Sequence, residues 1–110
     1  MSDIGDVCLV QIFFNMKNKT YKISPVLILN KINTTVTIAE ITSVPSDAPP
    51  TYYDQFKEKI IDWKQCGLDK QSYVKCKNIH NITNIRLLKK LGSMSNNDLL
   101  NIVAKIEEYN

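Results

Sequence analysis

Within the first 43 residues, three runs rich in Val, Ile and Thr are separated only by short polar connections. Connections that short cannot carry a crossover, so consecutive strands must return beside one another as an antiparallel meander. Val7-Cys8-Leu9-Val10-Gln11-Ile12-Phe13-Phe14 is apolar, β-branched and too short for a free-standing helix, which predicts a buried strand. Asn15 to Thr20 is a polar loop, after which Tyr21 to Asn30 resumes the strand pattern. Pro25 has no amide hydrogen for a ladder, so it is expected near the start of this strand or on an edge. Thr34 to Thr42 alternates, with Val36, Ile38 and Ile41 among threonines, and predicts a third strand.

Pro45, Pro49 and Pro50 then force extended backbone and mark the longest loop. Phe56 to Ile61 fits strand or helix equally well. Asp62 to Cys66 suits one helical turn, with Gly67 as its left-handed cap. Ser72 to Cys76 alternates as another strand, and Arg86 to Met94 is short and ambiguous. Ser95-Asn96-Asn97-Asp98 is a variant capping box, followed by Leu99, Leu100, Ile102, Val103 and Ile106 as one apolar stripe at helical spacing. The expected architecture is mainly β: a small curved antiparallel sheet or half-open barrel, covered by one C-terminal α-helix.

Composition sets limits on function. A chain of 110 residues is one domain's worth of protein, read here as a single unit over 1–110. No apolar run reaches the ~18 residues that a membrane span needs, and the acidic start is unlike a secretory signal. A cytoplasmic protein without membrane contact is therefore expected. The net charge of +3 is below that of a dedicated nucleic-acid binder, and Arg86 is the only arginine among fourteen basic residues. Cys8, Cys66 and Cys76 lack paired zinc spacing, and His80 is the only histidine. No metal site and no cofactor are expected, and the cysteines read as reduced thiols.

Four groups of residues carry possible chemistry. Thr42-Ser43 ends the third strand; its hydroxyls either satisfy the backbone there or donate to a phosphate oxygen at the rim of a groove. Lys17, Lys19 and Lys22 surround the first loop with Tyr21 between them. They form either a solvated hairpin tip or a cationic track with an aromatic for stacking on a base. His80 is a candidate general base or RNA contact. Tyr52, Tyr53 and Phe56 are either core or an anchor for a partner.

In order, these pieces resemble the PemK/MazF family of toxin endoribonucleases. The matching stretches are Gly5-Asp6-Val7, Pro25 to Asn30, Ala39-Glu40-Ile41-Thr42-Ser43, Ile61 to Leu68, Ser72 to Lys75, and Ile82 to Gly92. The resemblance implies a small SH3-like, CcdB-like antiparallel β-barrel with a C-terminal helix, usually a homodimer. It implies metal-independent cleavage of single-stranded RNA, with the ribose 2′-OH attacking the adjacent phosphate, and inhibition by a cognate antitoxin.

One departure stands out. The family normally has Arg, a principal catalytic residue, immediately before the proline of the second strand; here Ser24 stands there. The other main catalytic position, the Thr closing the third strand, is retained as Thr42. A serine hydroxyl cannot replace a guanidinium's charge, and Lys22, on the same strand face, is the cation nearest in sequence. The expected catalytic set is Thr42, Ser24 and Lys22, with Lys17, Lys19, Tyr21, Ser43 and His80 as RNA contacts. The expected function is an endoribonuclease toxin, attenuated by Ser24. Two alternatives are a toxin-fold module that binds antitoxin or RNA without cleaving, and a gyrase-poisoning toxin of related architecture.

Overall fold

The computed structural model describes residues 3–15, 17, 20–45 and 52–110. The first three runs form β1 (Asp6–Asn15), β2 (Thr20–Ile32) and β3 (Thr35–Thr42), followed by β4 (Lys57–Lys59), β5 (Tyr73–Thr83), β6 (Leu87–Ser93) and α1 (Asn96–Tyr109). All pairings are antiparallel, in the order β4-β5-β3-β2-β1-β6. The meander of β1, β2 and β3 is as expected from the apolar runs. The sheet curves but does not close, because β4 and β6 stand at its two edges.

Its two faces hold separate apolar clusters. Val7, Leu27, Ala39, Ile41, Val74 and Cys76 form one with Ile60, Cys66, Met94 and Ile102, while Cys8, Val10, Val26, Ile28, Val36, Ile38 and Ile82 form the other. Neighbours such as Val7 and Cys8 therefore face opposite ways, as a period of two requires, and both are fully buried. Burial on both faces is why β1 to β3 read as nearly continuous apolar runs.

Three local expectations need correction. Pro25 is well inside β2, which is an interior strand, rather than at its start or on an edge. It is tolerated because the β2–β3 ladder stops at Val26 and Glu40, one residue before it, while Leu9 of β1 lies across from it on the other side. The strand expected at Ser72 to Cys76 runs on to Thr83. Leu100 leaves the helix stripe: it is 71% exposed, whereas Ile102 is fully buried. The ambiguous Phe56 segment divides, with a 3-10 turn over Tyr52–Phe56 leading into β4. The proline loop's residues 46–50 lie outside the described residues.

The turn at 62–67 ties the open sheet together. Gly67 has φ +77°, and a Cβ there would run into the Leu91 carbonyl of β6. The capping motif is also put to tertiary use. Ser95 Oγ accepts from the Asp98 N–H at 3.3 Å, while the Asp98 carboxylate accepts from the Ile61 and Asp62 amides at 3.1 and 2.8 Å. The start of α1 is thereby fastened to the same turn.

Candidate active-site cleft

The end of the β2–β3 ladder opens a polar cleft. Continuing the register of Val26 opposite Glu40 would set Pro25 against Ile41 and Ser24 against Thr42. Pro25 has no N–H for that next rung, while on its other edge β3 stays paired with β5, Ile41 with Val74 and Thr42 with Tyr73. The gap holds a cleft of 320 Å³ lined by Lys22, Ser24, Pro25, Glu40, Ile41, Thr42, Ser43, Leu68, Asp69, Lys70, Ser72 and Lys75. Three lysines (Lys22, Lys70, Lys75) and four hydroxyl residues (Ser24, Thr42, Ser43, Ser72) thus border one space, with the carboxylates of Glu40 and Asp69.

Thr42 is held for donation. Its Oγ1 accepts from the Val44 N–H at 3.1 Å, which leaves the hydroxyl hydrogen to point elsewhere. The backbone beyond it is fixed in turn, because Lys57 Nζ donates to the Val44 carbonyl at 3.2 Å and pairs with Asp54 at 3.1 Å. Ser24 is nearly buried, and its neighbour on the same strand face, Lys22, is exposed.

Glu40 organises the wall of the cleft. It is 6% exposed, and its Oε1 pairs with Lys22 Nζ at 3.4 Å. Its Oε2 lies 2.8 Å from His80 Nε2 and accepts from Asn78 Nδ2 at 3.2 Å. Burial alone would push this carboxyl up. The hydrogen bonds from His80 and Asn78 and the charge of Lys22 outweigh it, holding the carboxyl below its ordinary value of 4.5. An irregularity in β5 explains the convergence. Ala39 pairs with Ile79, but Ile41 pairs with Val74, so residues 75–78 arch away opposite Glu40.

The expected catalytic residues Thr42, Ser24 and Lys22 all line this cleft, and so does Ser43. Tyr21 and Lys17 do not line it; both are exposed toward the hairpin end. Lys19 lies outside the described residues. His80 borders a second cavity of 350 Å³, with Tyr52, Phe56, Lys77, Asn78 and Ile79, and reaches the first only through Glu40. Glu40, Asp69, Ser72 and Lys75 were not singled out from the sequence. Glu40 had one usable signal, its place two residues before Thr42 and so on the same strand face; the others depend on the path of β5.

A small curved β-sheet with one terminal helix thus carries a cleft lined by lysines and hydroxyls beside the Glu40 and Asp69 carboxylates. A family model described as PemK-like, MazF-like toxin of type II toxin-antitoxin system matches residues 3–109, and the chain belongs to that family. Comparison with curated proteins gives no match. Among solved structures, toxin MazF-mt6 of Mycobacterium tuberculosis is similar at 24% identity, covering 94% of this chain and 93% of that one, with a TM-score of 0.68. MazE-MazF of Deinococcus radiodurans is similar at 12% identity over 98% and 94%, with a TM-score of 0.73. An endoribonuclease in complex with its cognate antitoxin, from Mycobacterial species, is similar at 15% identity over 98% and 93%, with a TM-score of 0.69. At these identities the likeness is one of fold.

Proposed function

We propose that this chain is the toxin of a type II toxin–antitoxin pair and cleaves single-stranded RNA at the cleft between β2 and β3. The observation that carries the reading is the meeting of Lys22, Ser24 and Thr42 in one 320 Å³ space. Family membership supports the toxin role, and the similar endoribonuclease–antitoxin complex supports both the reaction and a cognate antitoxin as partner. A homodimer is the proposed assembly. Among the described residues no helix is long and apolar enough to cross a membrane, and no cluster of His, Cys, Asp and Glu has the makings of a metal site.

In this reading the ribose 2′-oxygen attacks the adjacent phosphorus, forming a new O–P bond while the P–O5′ bond breaks. The products are a 2′,3′-cyclic phosphate and a 5′-OH. Negative charge develops on the non-bridging oxygens, which Lys22 neutralises and the Thr42 hydroxyl contacts by donation. The Asp69 carboxylate, exposed on the cleft wall, takes the 2′-OH proton, because Glu40 is committed to Lys22, His80 and Asn78. The departing 5′-oxygen takes a proton from water, and Asp69 gives its proton to the hydroxide left behind, which restores both. Ser24 lines the cleft where a guanidinium would add a further positive charge, and the rate is correspondingly attenuated.

The test uses purified protein and a short RNA, with the 5′ ends of the products mapped. A matched strand carrying 2′-deoxyribose at the scissile nucleotide should stay intact. Equal cutting of both strands would reject the 2′-OH route, and an uncut RNA that is nevertheless bound would favour the non-cleaving module.

A further inference from the structure

The second cavity lies on the other side of the Glu40 carboxylate from the cleft. One carboxylate joins the two spaces: its Oε1 pairs with Lys22, which lines the cleft, and its Oε2 contacts His80, which lines the cavity. The cavity's walls differ in character from the cleft's. Tyr52 is 69% exposed and meets Phe56 edge-on, with ring centroids 5.4 Å apart. Phe56 is braced from behind by Tyr109 of α1 at 5.1 Å, and Lys77 Nζ sits 5.5 Å from the Phe56 ring centre. Asn78 supplies an amide whose Nδ2 is used on Glu40 and whose oxygen can still accept.

We propose that this cavity is a base-binding subsite, in which the nucleotide next to the scissile phosphate stacks its base on Tyr52 while Lys77 and His80 face its backbone. The inference rests on the ribonuclease reading and extends it to a second contact on the same strand. Exposed aromatic faces beside cations are what a single-stranded nucleic acid uses for stacking and backbone neutralisation. The cavity is separated by the Glu40 carboxylate from a cleft that already carries three lysines. The arch of residues 75–78 builds both spaces at once, since Lys75 lines the first and Lys77 the second. Tyr52 is exposed and belongs to neither buried apolar cluster.

The test measures binding of an uncleavable single-stranded RNA, 2′-deoxy at the scissile nucleotide, by fluorescence anisotropy. Tyr52→Ala should weaken binding by about tenfold, and Tyr52→Phe should retain it. Lys77→Ala should lower the log–log salt slope by about 0.7. A strand made abasic at the neighbouring nucleotide should bind wild type and Tyr52→Ala alike. Equal loss on the intact and abasic strands would overturn the subsite, as would unchanged binding by Tyr52→Ala alongside weakened binding by Lys22→Ala. That last outcome would leave the ribonuclease reading standing, whereas a wild-type chain that binds no RNA would overturn both. A Tyr52→Ala variant with normal RNA binding but a weakened antitoxin complex would assign the cavity to a protein partner and reject the proposal.

Discussion

Ser24 and Thr42 occupy facing positions on two strands whose pairing stops two residues short of them, at Val26 and Glu40. Both line the cleft, so position 24 looks directly onto the space where Thr42 can donate. Ser24→Arg should therefore place a guanidinium beside Lys22 and raise the cleavage rate by about 10- to 100-fold, somewhat below the usual cost of losing an oxyanion donor. Initial rates on one RNA, compared at equal protein concentration, check this. An unchanged rate would mean that Lys22 already supplies all the charge that the phosphate needs.

Glu40 is expected to matter for both rate and stability. Glu40→Ala leaves Lys22 and His80 without their shared acceptor and should lower stability by about 1–3 kcal/mol, read from urea midpoints. The RNA cleavage rate should fall as well, because the Lys22 ammonium is no longer held at the cleft wall. A Glu40→Gln variant keeps an acceptor oxygen and should lose less stability than Glu40→Ala.

The acid limb of stability follows from two carboxylates. Glu40 is held below 4.5, as described. Asp6 is likewise held below 3.8: burial would raise it, but hydrogen bonds from the Asp3 amide and Ser93 and the charge of Lys90 prevail. A carboxyl lowered on folding adds stability above its unfolded value, and that contribution disappears as pH falls through the folded value. Wild type should lose stability below about pH 4.5, and Glu40→Gln should show a shallower decline over the same range. Urea unfolding at a series of pH values reads both curves.

The thiols should be silent in the native state. Burial, with a smaller push from Asp98 and Asp62, raises Cys66 to about 11; burial, with Glu58, raises Cys76 to about 12. Cys8 is fully buried in β1. A thiol reagent at pH 8 should modify almost nothing in folded protein and all three cysteines after denaturation.

Gly67→Ala should be among the most damaging single changes. The position combines a left-handed backbone with contact against the Leu91 carbonyl, and the added methyl has no room there. A loss of more than about 2 kcal/mol is expected, or a drop in melting temperature of at least about 8 °C for a chain this size.

The legible parts of this fold were those governed by short-range rules. The meander follows from two-sided burial, the Gly67 cap from its positive φ, and the start of α1 from Ser95. Leu100 misled because a helix stripe read from spacing alone is wider than the face that docks. Thr42, Ser24 and Lys22 were accessible through strand alternation and resemblance to a family. The second cavity and the partners of Glu40 were hidden because they depend on how residues 75–78 arch away opposite Glu40, a register irregularity with no local signature. His80 was singled out from the sequence, but its placement beside Tyr52, Phe56 and Lys77 comes from the folded chain.

Pro25 has a consequence for the evolution of this scaffold. Any replacement that restores a backbone N–H removes the obstacle to one more rung between β2 and β3, and the two strands could then zip shut over Ser24 and Thr42. The working space of the protein is thus kept ajar by a covalent ring rather than by a bulky side chain, so its openness survives wide drift in the residues around it.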